Sequence, residues 1–204
     1  MYHLEHSSTT LLPTGKSTRL KSITLFVTTL LLVTLGSVAA QAQAAPLVVT
    51  AIDAGRFYGD PNPTFTGTIT GLRSGDNITV VFNTVANTTS AAGSYQIVPT
   101  LVDPDGKLAT YQVVINSGTL TVTPAPLIVV ADDMSRSAGS PNPTFTGTVT
   151  GLKNGDVITA TQDSPATAGS DAGTYPIIPT VQAASGNIGN YSVSISNGTL
   201  TVTP

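Results

Sequence analysis

Pro61-Asn-Pro-Thr-Phe-Thr-Gly-Thr-Ile-Thr-Gly-Leu72 returns eighty residues later as Pro141-Asn-Pro-Thr-Phe-Thr-Gly-Thr-Val-Thr-Gly-Leu152. Within it Phe65, Gly67 and Ile69 alternate with Thr64, Thr66, Thr68 and Thr70, the period of two expected of a half-buried strand. Gly118-Thr-Leu-Thr-Val-Thr-Pro124 shows the same alternation and returns at the same offset as Gly198–Pro204. Pairing residues 45–124 with 125–204 gives 42 identities in 80 positions with no net insertion, which points to duplication. A period this long exceeds the roughly 20–50 residues of a solenoid unit. It suffices for a small domain that buries about 60% of its unfolded surface. Two tandem domains, 45–124 and 125–204, are therefore expected. Pro124-Ala125-Pro126 forms a short, semi-stiff joint, because each proline fixes φ and disfavours helix before it.

Further strands are predicted at Leu47–Ala51, Ile78–Phe82, Tyr95–Leu101 and Tyr111–Ile115, separated by turn formers such as Ser74-Gly75-Asp76, Asp103-Pro-Asp-Gly106 and Asn116-Ser-Gly118. No helical period stands out beyond residue 45. The expected fold is all-β: two small antiparallel β-sandwiches, immunoglobulin-like, following an N-terminal signal segment. Asp171-Ala-Gly-Thr-Tyr175 has the spacing of a tyrosine corner, and Ala91-Ala-Gly-Ser-Tyr95 keeps its Gly and Tyr. A β-grasp or another mixed sheet is the alternative.

Lys16, Arg19 and Lys21 precede the apolar run Ile23–Leu35, which is followed by Gly36 and by Ala40-Gln-Ala42 and Ala42-Gln-Ala44. That is the pattern of a signal peptide over residues 1–44, cleaved near 42–45. The alternative is an uncleaved membrane anchor, since no charge occurs from Ser22 to Ile52. Export places the protein outside the cell or on its surface, and the membrane is a partner only if this segment is retained.

Past residue 45 the chain carries ten aspartates against Arg56, Arg73, Lys107, Arg136 and Lys153, a net charge of −5. This acidic balance gives no basic surface for nucleic acid. His3 and His6 are the only histidines, and Cys and Trp are absent. Thiol nucleophiles, Cys/His zinc sites, His general bases and disulfide staples are thereby excluded from the two repeats. No carboxylate pair at a defined separation suggests a hydrolase. The expectation is a non-enzymatic protein with no catalytic, cofactor or metal residues.

The candidates that remain are few. Asp103-Pro104-Asp105-Gly106 opens like a calcium loop but has Val114 where the closing acid belongs, which leaves an Asp-Gly hairpin turn. Asp132-Asp133 beside the joint is weighed as a cation ligand against simple solvation. The threonine rows are weighed as a regular hydroxyl array against ordinary wet strand faces. Arg56, Tyr58 and Arg136 are the candidate ligand patch, since Tyr and Arg anchor interfaces. The other reading is that the paired arginines satisfy local carbonyls.

Taken together, these residues resemble the MBG family ("mostly beta, glycine-rich"), YGX type. The first repeat supplies Arg56, Tyr58-Gly59-Asp60, Asn62-Pro63, Gly71-Leu72, Gly75-Asp76, Gly93-Ser-Tyr95, Tyr111 and Gly118–Val122. The second supplies Ala131-Asp132-Asp133, Ser135-Arg136, Asn142-Pro143, Gly151-Leu152, Gly155-Asp156, Gly173-Thr-Tyr175, Tyr191 and Gly198–Val202, and departs from the pattern at Ala138, where the tyrosine belongs. That tyrosine reads as a packing residue which the second repeat can lack. The resemblance implies a module of large bacterial surface or secreted proteins, often adhesin-like, with no catalytic residues. It leads to an adhesion or ligand-recognition module whose partners are host or environmental glycans, matrix proteins or other surface-protein domains. A purely structural spacer is the alternative.

Overall fold

The structure, a computed structural model, describes residues 44–204; the expected signal or anchor segment lies outside the described residues. Among the described residues no helix is long and apolar enough to cross a membrane.

In the first repeat the strands are β1 (Ala45–Ala51), β2 (Ala54–Phe57), β3 (Gly67–Thr70), β4 (Thr79–Asn83), β5 (Gly93–Val102), β6 (Tyr111–Asn116) and β7 (Gly118–Thr123). The second repeat follows the same order with β8 (Ala125–Ala131), β9 (Met134–Ser137), β10 (Gly147–Thr150), β11 (Ile158–Asp163), β12 (Gly173–Ala183), β13 (Tyr191–Ser196) and β14 (Gly198–Thr203). One sheet of the first repeat runs β3-β1-β6 and the other β2-β7-β5-β4, and the second repeat has the equivalent pair of sheets. β1 lies between two partners, which suits its apolar run. Leu47, Val49 and Ala51 are buried, and the residues between them half-buried. Ala51 lies in one buried cluster with Ile97 of β5 and Leu120 and Val122 of β7, so the two sheets share a core.

The all-β expectation holds, and its pairing is corrected. An immunoglobulin sandwich is antiparallel, whereas here β1 pairs β6 and β2 pairs β7 in parallel, and the second repeat does likewise. The sheets are mixed. Parallel partners need long crossovers, which most of each repeat provides, and a period of two is common to both pairings. Asp103–Gly106 is accordingly a turn but not a hairpin, since it carries the chain from β5 to β6 in the other sheet. Both phenol closures form: Tyr95 donates to the carbonyl of Ala91 at 2.9 Å and Tyr175 to that of Asp171 at 3.0 Å. The acceptor is backbone, so the first repeat can do without the aspartate.

Gly71 shows why the repeated Thr-Gly-Leu needs its glycine. Its φ is +86°, and a Cβ there would collide with the carbonyl of Pro46. Gly151 repeats the arrangement against Pro126.

Candidate functional site

Arg56 sits on the four-residue strand β2 and is buried. Burial of a guanidinium demands partners for its donors. Its Nε donates to Asn62 Oδ1 at 2.7 Å, Nη1 to the Phe57 carbonyl at 3.0 Å and Nη2 to the Asn87 carbonyl. Asn62 in turn donates to the Ala86 carbonyl at 2.7 Å, so arginine and Asn-Pro together pin the loop after β4 onto β2. Arg136, also buried, repeats this with Asn142 at 2.8 Å, the Ser137 carbonyl at 3.0 Å and the Thr167 carbonyl, and Asn142 holds Ala166. Of the two readings of the arginines, satisfaction of local carbonyls is the one the geometry gives. The structure does not bring Arg56, Tyr58 and Arg136 together as one exposed patch.

Tyr58 has a different setting. It is 4% exposed and meets the second repeat, with its ring edge-on to Tyr191 at 5.5 Å between centroids and 79° between planes. Its hydroxyl donates to Asp156 Oδ2 at 3.1 Å, and the Tyr191 hydroxyl donates to the same oxygen at 2.7 Å. Two residues beyond Tyr58, Asp60 pairs with Lys153 Nζ at 2.9 Å. The backbone N–H of Lys153 donates to the Tyr191 hydroxyl at 3.0 Å, which fixes the phenol. Asn154 Nδ2 donates to the Thr88 carbonyl at 3.0 Å, and the Ala92 N–H to Asn190 Oδ1 at 3.0 Å. Gly59 has φ +82° and no room for a side chain, because the stem of Lys153 lies against it.

An apolar cluster continues beneath these contacts. Ala51, Ile97, Leu120 and Val122 of the first repeat are in one cluster with Ala125, Leu127, Ile158 and Tyr191 of the second. Each repeat thus has a head, at Leu47, Ile78 and Tyr111 in the first, and a tail, at Ala131, Ile177, Leu200 and Val202 in the second. The tail of the first repeat merges with the head of the second. The expected three-residue joint contracts to Pro124, since Ala125 and Pro126 are strand β8 and Ala125 is fully buried.

A family model, the MBG domain (YGX type), matches residues 47–121 and 127–201. The chain belongs to this family. No curated protein matches it. In the first MBG repeat the Tyr-Gly-Asp run is therefore the element that meets the next repeat, while the Arg and Asn-Pro positions hold each repeat to itself. Burial and then the hydrogen bond to Asp156 push the Tyr191 phenol up to about 12. Burial and then the hydrogen bond to Asp76 raise the Tyr111 phenol above its ordinary value.

The aspartate candidates are engaged in hydrogen bonds within their own repeats. Asp53 and Asp133 accept from the N–H of Thr119 and Thr199 at 2.7 Å each, and Asp132 accepts from Thr146 Oγ1 at 2.6 Å. The N–H of Leu108, at 2.7 Å, does most to hold the Asp103 carboxyl below its ordinary range. Thr64, Thr66, Thr68 and Thr70 are exposed, but only Thr68 and Thr70 belong to a strand ladder. Each MBG repeat also has a shallow concavity at the edge of its four-stranded sheet. The first, about 460 Å³, is lined by Asn83, Val85, Tyr95 and Val98, with Val85 89% exposed. The second, about 380 Å³, replaces Asn83 with Asp163, Val85 with Pro165 and Val98 with Ile178. They share a place but no polar constellation.

Sequence reasoning missed Asp60, Lys153, Asp156, Asn190 and Tyr191 as a joint. A signal was available: Tyr58 and Asp60 become Ala138 and Ser140 between the retained Arg and Gly and just before the repeated Pro-Asn-Pro-Thr-Phe-Thr-Gly run.

Proposed function

We propose that this chain is an MBG module pair of an exported bacterial surface or secreted protein and acts as a stiff, non-enzymatic spacer. The carrying observation is the joint, where a continuous apolar cluster, an ion pair and a shared carboxylate hold one repeat to the next. A stalk needs such resistance to bending between its modules. Because the chain has no cysteine, Ser94→Cys and Thr174→Cys place two spin labels at equivalent exposed positions. Dipolar spectroscopy on the full chain should give one narrow distance, and a broad distribution overturns the stiff spacer.

The second reading, recognition of a glycan or matrix protein, is favoured by the two concavities, each beside an edge strand able to accept a partner strand. Saturable binding of the full chain to an immobilised panel, lost on Val85→Asp, would establish that reading. Binding that ignores Val85 would remove the concavity of the first repeat from consideration.

A further inference from the structure

The joint is a template for another face of the molecule. The head of the second repeat offers Lys153, Asp156 and Tyr191, and receives Tyr58 and Asp60. The head of the first repeat carries Arg73, Asp76 and Tyr111 at the equivalent positions. Its internal bonds are the same: the Tyr111 hydroxyl donates to Asp76 Oδ2 and accepts from the Arg73 N–H at 2.9 Å. Two things present in the second repeat are missing here among the described residues, a second phenol on the carboxylate and a carboxylate on the cation. Arg73 instead lies over the Tyr111 ring, its guanidinium carbon 4.7 Å from the centroid, and donates to Thr110 Oγ1 at 3.0 Å. It is exposed, with its guanidinium open to solvent on the face of the first repeat's head.

We propose that the Arg73–Asp76–Tyr111 face is a docking socket for a β module of another polypeptide, entered by a turn that presents a tyrosine and, two residues later, a carboxylate. The phenol donates to Asp76 with its ring edge on Tyr111. The carboxylate draws Arg73 off the ring into an ion pair, for which a guanidinium offers a two-point fork that lysine lacks. A second copy of this chain does not carry the key: its outward turn is Ala138-Gly139-Ser140, and its Tyr58 and Asp60 are spent on its own second repeat. The contact has polarity, head to tail, and is heterologous. This inference goes beyond the spacer reading and stands whether or not the module pair is stiff.

The test gives this chain the missing key. Arg73→Glu/Ala138→Tyr/Ser140→Asp carries a key and a broken socket, and the first repeat already folds with Tyr and Asp around an equivalent glycine, φ +82° at Gly59 against +79° at Gly139. Mixed with the wild-type full chain, it should form a 1:1 complex in sedimentation velocity while each protein alone stays monomeric. Using Arg73→Glu as the partner should weaken the complex by about tenfold, as should raised salt to a lesser degree. No complex from a triple variant that melts like the wild type overturns the proposal, and so does a complex indifferent to Arg73→Glu on the partner. Should the triple variant not fold, a cyclic peptide of the sequence Arg56–Asn62 is titrated into isotope-labelled full chain. Amide shifts centred on Arg73, Asp76 and Tyr111 support the socket, and their absence overturns it.

Discussion

Two turns share one backbone frame in this molecule and do different work. Tyr58-Gly59-Asp60 closes on the second repeat, while Ala138-Gly139-Ser140 keeps the same left-handed glycine with its alanine exposed. Below both turns the arginine and asparagine are retained with matching bonds. The difference separates two kinds of residue in the MBG pattern. Arg56 and Asn62 bind within their own repeat and recur with the same bonds in the second, whereas Tyr58 and Asp60 occur only in the repeat whose turn meets a neighbour. Of the expectation for Tyr58, the packing role holds, but its partner is the other repeat.

The strongest way to break this comparison is to empty the core beneath each turn. Leu120 and Leu200 are equivalent and fully buried, yet Leu120 is in the cluster that crosses the joint and Leu200 in the second repeat's own. Each change to alanine should cost about 3 kcal/mol in urea denaturation. Leu120→Ala should also speed amide exchange around Leu127 and Ile158, whereas Leu200→Ala should leave the first repeat's exchange unchanged.

Tyr58→Ala removes the side chain at the joint and should cost about 2–3 kcal/mol. Tyr58→Phe keeps the ring and loses the bond to Asp156, for about 1 kcal/mol. Ala138→Tyr, the reverse change on the exposed turn, should move the midpoint little, within about 0.5 kcal/mol. A large gain from Ala138→Tyr would mean the tyrosine stabilises its own repeat after all.

Alkali is a gentler probe. The Tyr191 phenol is raised from 10 to about 12 in the folded protein, so the native state holds its proton more tightly than the unfolded chain does. The stability this contributes is complete below pH 10 and is lost as pH rises through about 12. Tyr191→Phe should flatten the fall in melting temperature across that window. Tyr111, raised in the same direction, leaves a residual slope that Tyr111→Phe removes. An unchanged slope in the double variant would show that neither phenol governs alkaline unfolding.

The strands were legible wherever a two-residue alternation met a turn former: β1, β5, β6 and β7 lie within a few residues of expectation. Strand β2 was not, because Ala54-Gly-Arg-Phe57 has no apolar alternation and is held by its parallel partner and by the bonds of Arg56. Parallel pairing was equally hidden, since the alternation says which face is buried and nothing of strand direction. Of the candidate patch, the burial of Arg56, Tyr58 and Arg136 was not legible in the sequence. Arg56 and Arg136 turn inward because each backs onto carbonyls of its own loop, and spacing along the chain carries no information about that.

The smallest effect sharpens the comparison most. Lys153 and Asp60 are each 37% exposed, so their ion pair is worth about 0.5 kcal/mol after solvent screening. The stem of Lys153 also covers Gly59, so truncation to alanine would mix lost packing with lost charge. Lys153→Met keeps the stem and isolates the charge. It should cost about 0.5 kcal/mol at low salt and almost nothing at 1 M, with Asp60→Asn giving the same loss and the double variant no more. Additive losses in that cycle would mean that the two charges act separately. The joint would then rest on its rings, its shared carboxylate and the apolar cluster beneath them.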